Sequence, residues 1–120
     1  MSATMQVESP LEQKVQKKSS KFLMRERELL ERFMPGLDAA LQEIPLEMLE
    51  GRDNPSIAML KEAKGPALLI PEEFGGMGAS AAQGMKVLRA VASRAPSLGI
   101  AFTMHNFSVA TLVEWAVFGE

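Results

Sequence analysis

Hydrophobic and polar positions divide the chain into a series of short helical stripes. Ser9-Pro10-Leu11-Glu12 reads as a helix start, with a side-chain acceptor, a proline suited to the first turn and a glutamate that completes a capping box. Leu11, Val15, Phe22, Leu29 and Phe33 then recur mostly on one side. Ser19-Ser20 weakens the middle of this pattern, so it predicts a firm helix over residues 21–34, with Arg25, Glu28 and Arg32 outward and Pro35-Gly36 as the stop. Leu37, Leu41 and Ile44 mark a second short helix, interrupted by Pro45. A third opens at Asn54-Pro55, turns Ile57, Leu60 and Ala63 inward and ends at Gly65-Pro66. Ala67-Leu68-Leu69-Ile70 is too short an apolar run to identify as a strand, and residues 71–79 form a glycine-rich loop. Ser80-Ala81-Ala82-Gln83 is a second capping box, followed by a helix with Met85, Leu88 and Val91 or Ala92 on one face and Lys86 and Arg89 on the other. Pro96 closes it, and Ser97 is expected to cap a last helix running toward Phe118. Five or six helices without paired strands predict an all-α fold, a small helical bundle.

Charge changes this picture in one respect. Residues 1–64 carry 10 Lys+Arg and 11 Asp+Glu, whereas residues 65–120 carry 3 and 4. Residues 95–118 contain one charge, Glu114, and 15 apolar residues. Ser97, Thr103, His105, Asn106, Ser108 and Thr111 interrupt that stretch, so it is too short an apolar run to span a membrane. Such a segment packs on something, and oligomerisation or further polypeptide would supply the partner. With 120 residues there is room for one domain, expected over residues 20–120 behind a flexible tail or loose first helix over residues 1–19. A formal net charge of −2 argues against a nucleic-acid partner bound through phosphates. The absence of cysteine excludes disulfides, thiolate metal sites and a cysteine nucleophile, and fits the cytoplasm. No secretory signal or mitochondrial presequence pattern opens the chain.

Few residues offer chemistry. Gly76, Gly78 and Ala81 match G-x-G-x-x-A after an apolar run and before a helix. Five residues separate that run from the motif, Glu72 and Glu73 would repel a pyrophosphate, and no acid follows before Glu114 to hold a ribose. The glycines are better read as supplying positive φ in a compact loop. Glu72 and Glu73 are adjacent and point apart if extended, so they read as surface carboxylates. His105 is the lone histidine and has no metal-binding or triad partner at suitable spacing.

The segment from Leu60 to Ser80 carries more. Leu60-Lys61-Glu62-Ala63-Lys64-Gly65 followed by Ile70-Pro71-Glu72-Glu73-Phe74-Gly75-Gly76-Met77-Gly78-Ala79-Ser80 resembles the N-terminal helical domain of the acyl-CoA dehydrogenase family. There, a helix ending in Gly leads through an I-P-E-E-[YF]-G-G-x-G-x-S loop into further helices, one with a His near its start and a Gly-containing turn at its end. His105 and Phe118-Gly119-Glu120 match that pattern, and the resemblance covers residues 55–120.

The resemblance implies a flavoenzyme with FAD bound mainly by parts absent from these 120 residues: a β domain and a C-terminal helical domain. It implies an acyl-CoA or carrier-bound acyl thioester as substrate, oxidised at Cα–Cβ. A carboxylate base takes the α-proton while hydride passes to the flavin. That base belongs to the C-terminal domain, so no catalytic residue is expected in this chain, and the chain alone should be inactive. The complete enzyme would be a homo-oligomer. By the same resemblance the last helix walls the acyl cavity, through its uncharged face of Ile100, Ala101, Met104 and Ser108. The alternative to an enzyme is a non-enzymatic helical module that self-associates through its apolar C-terminal half.

Overall fold

The structure, a computed structural model, describes residues 9–119. The expected tail over residues 1–8 lies outside the described residues. Seven α-helices, and no strand, occur among them: α1 (Pro10–Lys21), α2 (Met24–Phe33), α3 (Leu37–Gln42), α4 (Leu46–Leu49), α5 (Ser56–Glu62), α6 (Ala81–Arg94) and α7 (Pro96–Phe118). The all-α class is as the pattern predicts. The higher helix count has two sources. Pro45 starts the single turn of α4 as well as ending α3. And the first long pattern breaks at Leu23, three residues beyond the serines: α1 passes through Ser19 and Ser20, and Leu23 sits in the left-handed region at φ 56. A leucine pays about 1–2 kcal/mol there, and its side chain is buried in that position.

α6 lies at the centre, between α2 and α7. Leu30 and Met34 from the α2 end, Leu37 and Leu41 of α3, Leu60 of α5, Val87, Ala90 and Val91 of α6, and Leu98 and Phe102 of α7 form one core. Polar residues tie α2, α3 and α6 together around it. The Arg94 guanidinium donates through Nε and Nη2 to the two Asp38 carboxylate oxygens at 3.0 and 3.4 Å, and Arg89 pairs with Glu26 at 3.2 Å.

Three inward assignments are corrected. On α5 the buried positions are Ser56 and Leu60, and Ile57 is 47% exposed. On α6 they are Gly84, Val87, Ala90 and Val91, so the true stripe is rotated from the expected one and Met85 faces outward. Small residues explain the rotation: Gly84 lets Leu69 approach so closely that a Cβ would lie 2.7 Å from its Cδ2. In α1 and the turn after it, Leu11 and Phe22 are exposed, while Leu29 and Phe33 pack on the core as expected.

The segment from Gly65 to Ala79 contains two 3-10 turns, Gly65–Ala67 and Glu72–Phe74, and no strand. Backbone hydrogen bonds fold it on itself, Met77 N–H to Ala67 C=O at 2.9 Å, Gly78 N–H to Ile70 C=O at 2.8 Å and Ala79 N–H to Leu68 C=O at 3.0 Å. The capping box at Ser80 forms as the sequence predicts, with Ser80 Oγ accepting from Gln83 N–H and the Gln83 side chain accepting from Ser80 N–H.

Candidate functional site

α7 is 23 residues long, roughly 34 Å at helical rise. Its buried residues, Leu98, Gly99, Phe102 and Asn106, all lie in its first half. That half is fastened at its N-terminus by Glu50, a residue that the sequence pattern does not single out. Ser97 is the second residue of the helix rather than its cap; its N–H donates to Glu50 Oε1 at 3.1 Å and its hydroxyl donates to Glu50 Oε2. An anion at a helix N-terminus is favourably placed. The Ser97 hydroxyl first, and its N–H second, hold the Glu50 carboxyl below its ordinary value. No sequence signal within ten residues of α7 announces this cap, because Glu50 comes from the loop after α4.

Two concave surfaces flank the first half of α7. On one face, Ala92 of α6 with Pro96, Gly99, Ile100, Thr103 and Met104 lines an open groove of about 400 Å³. Thr103 returns its hydroxyl to Gly99 C=O at 2.7 Å, which satisfies the one polar side chain there. Ile100 and Met104 are 69% and 65% exposed along this groove. On the other face, a smaller pocket of about 150 Å³ between α5 and α7 is lined in part by Ala101 and His105. The expected cavity residues are therefore divided. Ile100 and Met104 share the groove, Ala101 belongs to the opposite pocket, and Ser108 lines neither; its hydroxyl donates to Met104 C=O at 3.3 Å. Thr103, Gly99 and Pro96 were missed, although the i, i+3, i+4 spacing from Pro96 and Ile100 contains them.

The glycine loop is not a phosphate cradle. The N–H groups of Gly75, Gly76, Met77, Gly78 and Ala79 all donate to backbone carbonyls inside the loop, so none is free for an anion. Gly75 and Gly78 have φ of +86 and +67, as the compact-loop reading requires. Gly76 has no positive φ and is there for space. Glu72 and Glu73 are exposed on a 3-10 turn. Neither concave surface beside α7 holds an arginine, and no group of His, Cys, Asp or Glu among the described residues is arranged for a metal ion. These residues do not fit a flavin on their own. Among the described residues no helix is long and apolar enough to cross a membrane.

Comparison with known proteins gives one relative. Isobutylamine N-hydroxylase of Streptomyces viridifaciens is 42% identical to the chain over 86 residues, which are 72% of this chain and 23% of that enzyme. The chain thus spans about a quarter of the length of the relative it matches. No protein-family model and no solved structure matches the chain.

Proposed function

We propose that this chain is the N-terminal helical part of a flavin-dependent oxidising enzyme of the acyl-CoA dehydrogenase type, and that the α6–α7 groove walls the cavity for the apolar part of its substrate. The observation that carries this is the 42% identity to an enzyme that hydroxylates an amine nitrogen, which agrees with the P-E-E-F-G-G-M-G loop. The groove suits a small alkyl group: it is apolar and carries no charged residue. Flavin and catalytic groups would come from polypeptide other than these 120 residues.

Two substrates fit this reading. The relative's name favours a small alkylamine, converted with dioxygen, two electrons and two protons to the hydroxylamine and water. The loop resemblance favours an acyl thioester. The experiment supplies the gene product, expressed from its own reading frame, with FAD and either isobutylamine, oxygen and a reducing system, or an acyl-CoA and an acceptor dye. We expect hydroxylamine formation by mass spectrometry in the first arm. Dye reduction alone would move the substrate to the thioester, and turnover in neither arm would overturn the enzyme reading.

A further inference from the structure

The pocket on the α5 side of α7 has a composition that the proposed function does not use. Its floor is apolar and belongs to the core: Leu60, Leu98 and Phe102 are all buried. Two nitrogen-bearing side chains, Lys61 and His105, also line it. His105 Nε2 lies 2.8 Å from the carbonyl oxygen of Pro66. A carbonyl can only accept, so Nε2 carries the hydrogen and the ring is held in place. Lys61 forms no ion pair among the described residues. The neighbouring Glu62 faces a separate groove with Pro35 and Met59. No carboxylate lines the pocket, so the exposed Lys61 carries the one permanent charge along it.

We propose that this pocket binds a small aliphatic monocarboxylate, with the carboxylate against Lys61 and the hydrocarbon on Leu60, Leu98 and Phe102. Size sets the ligand class. About 150 Å³ holds about five water-sized groups, which matches a branched or linear acid of four or five carbons with its head at the rim. Charge sets it as well, since an ammonium would meet Lys61. The pocket is therefore separate from any amine site, and helical spacing puts it on the face of α7 opposite Ile100 and Met104. It stands whether or not the enzyme reading holds.

His105 is the only histidine, so its ring resonances report on this pocket without assignment ambiguity. The experiment titrates the 120-residue chain with isobutyrate at fixed pH and ionic strength and follows those resonances. A saturable shift is expected. Acetate, two carbons shorter, should bind about tenfold more weakly. Isobutyramide, of the same shape without charge, and Lys61→Met should each weaken binding about three- to fivefold, while Lys61→Arg retains it and Lys64→Met leaves it unchanged. A linear shift shared with chloride, equal binding of isobutyramide, or a Lys61→Met variant that binds like wild type would each overturn the proposal. Phosphate binding as tightly as isobutyrate would also overturn it, because the apolar floor would then contribute nothing.

Discussion

Replacing Gly76 with alanine should cost far more stability than replacing its neighbour Gly75, although the pair is indistinguishable by residue type. At Gly75 an added Cβ meets nothing within 4 Å, but φ is +86. An alanine there pays the left-handed penalty of about 1–2 kcal/mol. At Gly76 the same atom would lie 2.0 Å from the Ile70 carbonyl oxygen, 2.4 Å from Ile70 Cβ and 2.5 Å from its carbonyl carbon. These are backbone or backbone-anchored atoms that no rotamer change removes. The two passes of the loop must separate. The bonds from Met77 N–H to Ala67 and from Gly78 N–H to Ile70 go with them, at about 1 kcal/mol each. Strain adds about 1–3 kcal/mol. The total, about 3–5 kcal/mol, is a large fraction of the roughly 6–18 kcal/mol expected for a domain of this size. Urea unfolding followed by far-UV circular dichroism, at concentrations where the midpoint does not depend on protein, measures both variants. Equal losses for Gly75→Ala and Gly76→Ala would refute the close-approach argument and return the loop to a matter of φ alone.

Phe102→Ala should lose about 3–5 kcal/mol in the same assay, because Phe102 is the largest fully buried side chain and joins α7 to the core. The Glu50 carboxyl is held below its ordinary 4.5, so its contribution is present above that pH and disappears as pH falls through the lower folded value; Glu50→Gln should be less stable than wild type at pH 7, and the difference should shrink in acid unfolding scans toward pH 3. The isolated chain should self-associate or bind the dye ANS, since Phe107, Leu112, Trp115 and Phe118 are all exposed on α7; sedimentation should show monomer after Trp115→Lys with Phe118→Lys, and a clean wild-type monomer without dye binding would contradict the claim. In the active enzyme, Met104→Trp should narrow the groove and shift kcat/KM toward shorter alkyl groups by a few-fold per carbon, and superimposable profiles would make Met104 a surface residue without a cavity role.

The helical class was legible because punctuation and capping are local. Pro35-Gly36 and the Ser80–Gln83 box each act within four residues, and each ends or starts a helix where the pattern puts it, whereas α5 stops at Glu62 and the left-handed residue after it is Lys64 rather than Gly65. The faces were less legible. Met85 and Ile57 are apolar and in phase with a helix, yet Gly84 and Ser56 are buried instead, because close packing selects small residues that hydrophobicity alone does not mark. The break at Leu23 was illegible for a related reason: a buried contact outweighs a left-handed backbone, and nothing in the tripeptide says so. At the candidate site, Ile100 and Met104 do share a groove. Ala101, only one position from Ile100, turns 100° around the helix into a different pocket, so grouping i with i+1 merged two surfaces that α7 keeps apart.

The composition of α7 sharpens that point. A helix that packs on one side carries an apolar stripe, and the first half of α7 obeys this, burying Leu98, Gly99 and Phe102 before the stripe ends at the buried but polar Asn106. Beyond Asn106 none of the described residues is buried, yet Phe107, Val109, Leu112, Val113, Trp115, Val117 and Phe118 surround the axis. An unpartnered helix end gains nothing from such residues: Trp115 and Phe118, each 74% exposed, cost solubility and return no packing energy. Apolar residues on every side of a helix belong to a helix covered on every side. The two halves of α7 therefore differ in how far this domain covers them. The first half is held by this domain through Phe102 and the Glu50 cap, and the second is left exposed by it. The boundary between them lies at Asn106, two residues or about half a turn beyond Met104, which places the proposed substrate surface beside the point where burial gives way to exposure.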